Sequence, residues 1–265
     1  MMTSYRNILS FLALTTLSFC IHGQTTIQPK QIDYSLIGIL YNHERAGDLQ
    51  IHTNGFALAY VVGDIRKYYL TRYRYFGVGL LKHPREYRQA VNFQSGNLIL
   101  KTSSAFAYGK QHNFIVARAG IGEKRYFSEK AKRKGVAVGI SYEGGISLGI
   151  LKPYYLDLNR LEPSGGSVAV TEKYSEENAD LFLDVSRIQG AASFFKGIDE
   201  ISILPGFHGK IGAHFSIGAF ERDVRALELG IMCDIYFKRV PLMIIENNQP
   251  FFLNLYATLQ IGRRS

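Results

Sequence analysis

Residues 225–239 read RALELGIMCDIYFKR, and taken at every second position they separate into two unlike lists. One holds Leu227, Leu229, Ile231, Cys233, Ile235 and Phe237; the other holds Ala226, Glu228, Gly230, Met232, Asp234 and Tyr236. A period of two is that of a β-strand, whose successive side chains point to opposite faces. The unbroken apolar stripe suits lipid, and the two carboxylates suit the inside of a small closed barrel. Alternation alone does not say which face is inside, because a water-soluble barrel alternates too and turns its apolar face inward.

The pattern recurs along the chain and predicts eight strands, over residues 32–41, 51–62, 69–81, 114–125, 136–151, 204–219, 224–237 and 251–262. Most are roughly 10 to 16 residues long, against about 5 or 6 for an ordinary strand and about 9 to 11 for one that crosses a bilayer. In the sixth, Phe207, Ile211, Ala213, Phe215 and Ile217 oppose His208, Lys210, His214 and Ser216. In the eighth, alternate apolar residues from Phe251 to Ile261 oppose Asn254, Tyr256, Thr258 and Gln260. The second, fourth and sixth connections (GDIRK, FSEKAKRKG, FERD) are short; NHERAGDLQ, 82–113, 152–203 and VPLMIIENNQ are longer. Outer-membrane barrels have short periplasmic turns and longer external loops. The expectation is therefore an all-β, eight-stranded antiparallel transmembrane β-barrel, with both chain ends in the periplasm and 152–203 as a long external loop.

The start of the chain points to the same place. Arg6 precedes an apolar run from Ile8 to Ile21, followed by HGQTT. That order is a secretory signal peptide. The run is about 14 residues, short of the roughly 20 that a spanning helix needs. The expected cut follows Gly23, giving a signal peptide over 1–23 and a barrel over 24–265. Lipoprotein processing at Cys20 is the alternative, opposed by bulky Phe19 just before it. After cleavage Cys233 is the one remaining thiol, so neither an internal disulfide nor a cysteine-pair metal site is open to the mature chain. The net charge of +9 falls to about +8 without Arg6. For an exported protein that balance points to anionic lipid, lipopolysaccharide phosphates or an anionic protein partner rather than nucleic acid.

Strand alternation assigns Glu143, Lys210, Glu228 and Asp234 to one face, joined by Arg118 if Ile115, Ala117 and Ile121 point outward. These five are the candidate interior polar network, because a buried charge must meet a partner. Lys82, Arg85 and Arg88, just beyond the third strand, are candidates for contact with lipopolysaccharide or a partner. Arg72 and Arg74 share a face with Phe76, Val78 and Leu80, where they can snorkel to phosphate. Tyr34, Tyr60, Tyr126, Tyr142, Phe220 and Phe237 are candidates for the aromatic girdles.

Catalytic and metal chemistry find less support. His43, His52, His83 and His112 fall near or in external loops, and Ser103, Ser104 and Glu86 complete a conceivable acyl-transfer set. No nucleophile motif surrounds either serine, so the expectation is no enzyme. His208 and His214 are separated by roughly 20 Å along a strand, too far for one ion, so no metal or cofactor is expected. EPSGGS at 162–167 lacks the lysine of a phosphate loop. SEENADLFLDVSRIQG at 175–190 reads as a short helix capped by Ser175, with Leu181, Val185 and Ile188 on one face, plugging the outer mouth, with docking on a partner as the alternative.

Several stretches together carry a family likeness: TNGFALAY (53–60), LKHPREYR (81–88), NFIVARAGIGEKR (113–125), FFKGIDEISILPGFHGKIGAHF (194–215), VRALELGIMCDIYFKRVPLMI (224–244) and FFLNLYATLQIGRR (251–264). Their order and spacing resemble a family of uncharacterised outer-membrane β-barrels of Bacteroidota-type bacteria. The resemblance implies an outer-membrane barrel without a settled activity. The chain departs from the general barrel pattern in ending on Ser265 after two arginines rather than on an aromatic residue. The functional expectation is a non-enzymatic barrel, structural or an accessory subunit of an envelope assembly or secretion complex. A narrow ion or small-solute channel is the alternative, and a lipid-modifying barrel enzyme comes third.

Overall fold

The computed structural model describes residues 41–67, 69–95, 98–127, 136–161, 166–217 and 222–265. The expected signal peptide at 1–23, Tyr34, Phe220 and most of EPSGGS lie outside them. Eight long strands stand among the described residues: β1 (His43–His52), β2 (Gly55–Lys67), β3 (Leu70–Leu81), β4 (His112–Tyr126), β5 (Val136–Pro153), β6 (Ser202–Ile217), β7 (Asp223–Tyr236) and β8 (Phe251–Arg264). Each pairs antiparallel with its neighbours in the chain, and β1 pairs with β8, from Glu44 opposite Arg264 to His52 opposite Tyr256. The sheet is thus a closed barrel with no free edge, as a sheet crossing hydrocarbon must be to satisfy its backbone groups.

Side-chain placement makes the barrel inside-out relative to a soluble one. Leu229, Ile231, Ile235, Phe207, Ile211, Leu253 and Leu255 are exposed on the outer wall. Glu143, Lys210, Glu228 and Asp234 are buried within. No described helix is long and apolar enough to cross a membrane. The crossing elements are the strands, and the fold is a transmembrane β-barrel.

The first strand differs from the expectation. Residues 32–40 lie outside the described residues and Tyr41 is irregular, whereas NHERAGDLQ, read above as a connection, supplies most of β1. Glu44, Ala46, Asp48, Gln50 and His52 point inward, while Arg45, Gly47, Leu49 and Ile51 point outward. The alternation is complete, but polar residues occupy both faces near the strand's start, so hydropathy concealed it. As a result β1 and β2 are joined only by Thr53 and Asn54. The long connections, β3–β4, β5–β6 and β7–β8, all leave the same end of the barrel as this turn.

The long connection over 152–203 is a structured body rather than a simple loop. β5 runs on to Pro153, and Tyr155–Leu161 pairs on one side with Ser167–Lys173 and on the other with Ile188–Ala191. Leu156, Leu158, Phe182 and Ile188 form its core with Tyr154 and with Phe106 and Ala107 from the β3–β4 connection. The expected plug helix is a single turn, Ala179–Phe182, flanked by 3-10 turns. It does not stop the mouth: Phe182 turns into the body's core. The barrel is closed instead by Val240, Leu242 and Met243 of the β7–β8 connection, packed on Leu81, Phe114, Leu151, Leu204, Tyr236 and Phe252. Gly149 permits this cap, because a Cβ there would lie 2.5 Å from the Phe114 ring.

Beside the cap, Lys110 Nζ lies 2.6 Å from Glu86 Oε1, with both side chains under a tenth exposed. Burial pushes the Lys110 amine down from its usual range, against the pull of Glu86. Lys110→Met removes the cation but leaves the carboxylate buried, which costs about 3 to 5 kcal/mol where burial is complete. Limited proteolysis should therefore cut the variant's long-connection end faster than the parent's, with the barrel still folded. Equal cutting rates would show that the pair is not structural.

Candidate functional site

The lumen holds the densest group of functional side chains, and strand parity places them. On β4, Arg118 and Lys124 share a face with Phe114 and Val116; on β7, Glu228 and Asp234 share one with Met232. Arg118 donates from Nε and Nη2 to the two oxygens of Asp234, at 2.8 and 2.9 Å, and both side chains are essentially inaccessible. This fork-to-fork geometry is the strongest form of such a pair.

A second group centres on Lys210. Its Nζ is 3.5 Å from Glu143 and 3.3 Å from Glu228, and lies 5.1 Å from the ring centres of both Tyr75 and Tyr256. Tyr73 donates to Glu143 at 3.0 Å and Tyr256 to Glu228 at 2.8 Å. His214 Nδ1 is 3.0 Å from Glu228, and His208 Nε2 is 3.6 Å from Glu143. The rings fit because glycines face them: a Cβ on Gly212 would lie 2.4 Å from the Tyr256 oxygen. A third group lies toward the short-connection end. Lys124 donates to Glu44 at 2.9 Å and to Gln260 at 2.6 Å, Arg264 donates to Glu44 at 3.0 Å, and Gln260 donates to Asp48 at 2.7 Å.

All five residues of the expected interior network line the lumen, but they fall into two groups: Arg118 with Asp234, and Lys210 with Glu143 and Glu228. Sequence reading missed Glu44, Asp48, Lys124 and Arg264. Lys124 has the parity of Arg118 and was within reach; Arg264 has that of Gln260 but lies two residues past the expected end of the eighth strand. Glu44 and Asp48 were hidden with the first strand. Tyr126, expected in a girdle, has the lumen parity instead, and its ring stands 5.8 Å from that of His214. Tyr60 and Phe237 are on the outer wall as expected, and Tyr142, also outward, donates to Glu123 at 2.5 Å. Glu123 pairs in turn with Arg72 and Arg125.

The other candidates disperse. Lys82, Arg85 and Arg88 are exposed, but among the described residues only Arg85 bonds another charged side chain, Glu246, on the wall of a cleft of about 470 Å³ lined also by His83, Asn54, Phe251 and Leu253. The conceivable acyl-transfer set is not assembled. His112 Nδ1 is 2.7 Å from the Pro241 carbonyl, Ser103 Oγ accepts from the Val91 amide, Ser104 donates to the Ala191 carbonyl, and Glu86 holds Lys110. His52, the last residue of β1 beside the Thr53–Asn54 turn, is buried on the lumen face. Among the described residues no group of three or more His, Cys, Asp or Glu could hold a metal ion.

An ion-paired interior, an apolar exterior and a closed eight-stranded sheet define the class, a membrane β-barrel with a filled lumen. No protein-family model matches the sequence, and no curated protein matches it. Among solved structures the chain is similar to Neisserial surface protein A, at 9% identity and a TM-score of 0.35 over 84% of this chain and 94% of that one. At that level the likeness carries no weight here; the class rests on the chain's own closure and faces.

Proposed function

We propose that the chain is an exported outer-membrane β-barrel of the Bacteroidota type, not an enzyme, that serves as a structural or accessory subunit of an envelope assembly and offers its long-connection body to a protein partner. The observation that carries this reading is the filled lumen. Three ion-paired groups occupy it and the Val240–Leu242–Met243 cap covers it, so the barrel has little room for a solute path. Phe194, Phe195 and Ile198 lie exposed near the start of β6 and supply an apolar surface of the kind partners cover. Lys82, Arg85 and Arg88, at the same end, suit lipopolysaccharide phosphates or an anionic stretch of that partner.

The channel reading has one observation in its favour. Gln50 Oε1, both ring nitrogens of His52, Asn254 Nδ2 and Thr258 Oγ1 are buried without a partner among the described residues, and polar groups of this kind bind water. The two readings separate in a planar bilayer. The scaffold reading predicts silence across voltages, together with retrieval of a stable partner when a photo-crosslinker at Phe195 is activated before extraction. A steady conductance that changes in Glu228→Ala would overturn it in favour of the channel. An uncrosslinked monomer at native abundance would count against the partner.

A further inference from the structure

Arginines are exposed at the short-connection end on several strands, and some of them have acids near them. Arg72 and Arg125 share Glu123, and Arg74 lies 3.9 Å from Asp64. A cluster with fewer acids stands where β7, β8 and β1 meet. Arg263 of β8 stands in register between Asp223 of β7 and Arg45 of β1. In the next outward row, Ile261 stands between Arg225 and Gly47. Arg263 Nε is 3.5 Å from Asp223, with both side chains more than half exposed. Arg45 and Arg225 are exposed and make no ion pair among the described residues. Three guanidinium groups thus face one carboxylate.

The three arginines border a groove of about 460 Å³, with Asp223, Val224, Ile261 and Gly262 as its other walls. Gly47 stands beside Ile261 in the outward row, and a Cβ there would have open space before it, with nothing nearer than the Ile261 carbonyl at 4.0 Å. Toward mid-barrel the outward residues of the same three strands are Leu49, Leu227 and Leu259, all exposed. The groove therefore has a cationic rim at the membrane edge and an apolar track leading into the hydrocarbon.

We infer that this groove is a binding site for an anionic glycerophospholipid. Its phosphodiester is held by Arg45, Arg225 and Arg263, and an acyl chain lies along Ile261, Leu259 and Leu49. Guanidinium forks match phosphate oxygens in geometry as well as charge. The spare positive charge selects an anionic headgroup over a zwitterionic one, whose own ammonium the rim repels. The apolar track separates a lipid from free phosphate, which has nothing to lay along it. The register of three strands gives the groove a definite shape, which a diffuse basic rim lacks.

The test uses the full chain in a neutral detergent, with lipid retention read by native mass spectrometry and melting temperature read alongside. The expected result is one retained phosphatidylglycerol and a raised melting temperature, with neither effect from phosphatidylcholine of the same chains or from inorganic phosphate. The Arg45→Gln/Arg225→Gln/Arg263→Gln variant should lose retention by more than tenfold. Gly47→Leu, which fills the groove and leaves the charge intact, should weaken it as well. Gel mobility before heating confirms that both variants are folded, and Lys82→Gln/Arg85→Gln should retain lipid like the parent. Equal retention of phosphatidylcholine, an equal effect of inorganic phosphate, full retention by the triple variant or indifference to Gly47→Leu would each overturn the inference.

Discussion

Asp234→Ala is expected to destabilise the barrel by about 3 to 5 kcal/mol, the usual cost of stranding one member of a buried ion pair. Its partner Arg118 is 1% exposed at the side chain and donates two hydrogen bonds to this one carboxylate. A lysine in that position could escape by losing its proton, but a guanidinium does not deprotonate in proteins. The charge must stay buried and unpaired, draw in water, or unfold the wall around it. Arg118→Met/Asp234→Leu removes both charges and should recover most of the loss, because replacing a whole buried pair by apolar residues of similar volume is often neutral. Glu228→Ala should cost less, since Lys210 keeps Glu143. Urea unfolding in lipid vesicles measures all three. A single variant as stable as the parent would show that the pair is not structural.

Ile231→Arg is expected to cost about 2 to 4 kcal/mol and to lower the yield of assembled barrel, the penalty for a lipid-facing arginine at the bilayer midplane. Ile231 sits near the middle of the outward stripe of β7, opposite Ile211 and Leu255, which are also outward. Position decides the size of the effect. Arg225 and Arg263 already occupy outward sites near the barrel's edge, so Ile261→Arg in the same region should cost about 1 kcal/mol or less. Met232→Arg, one residue along, fails differently: it enters the lumen, where Gln50 donates to the Met232 sulfur, and perturbs a packed polar interior. Yield and unfolding midpoint across these three variants check the ordering. Equal effects at Ile231 and Ile261 would show that the outer wall does not face a bilayer.

The later strands were legible because two independent signals coincide in them. On β6, β7 and β8 a mostly apolar face opposes residues of a clearly different chemistry, and a one-residue slip in register would have put Glu228 and Asp234 into lipid. β1 lacks that contrast near its start, since Arg45 and Gly47 point outward where an apolar residue was sought. Tyr126 was misassigned because the expected strand stopped one residue short of it, which hid its parity with Arg118. The long-connection body was not readable from 152–203 alone, since Phe106 and Ala107, which complete its core, come from another connection. The cap left a trace in the apolar run of Val240, Leu242 and Met243, but nothing in the sequence says that this run folds back over the mouth. The phospholipid groove was out of reach because it depends on which residues of β7, β8 and β1 stand side by side, and that register is a property of the closed sheet.

The central claim is that the apolar stripe faces lipid and the lumen is closed. Thiol labelling in membranes tests it most directly, with Cys233 replaced by alanine and single cysteines placed at Leu229, Gly230, Ile231 and Met232. A water-soluble maleimide should label none of the four until the barrel is unfolded. Labelling of all four by the water-soluble reagent would contradict the face assignment, and labelling of 230 and 232 alone would contradict the closed lumen.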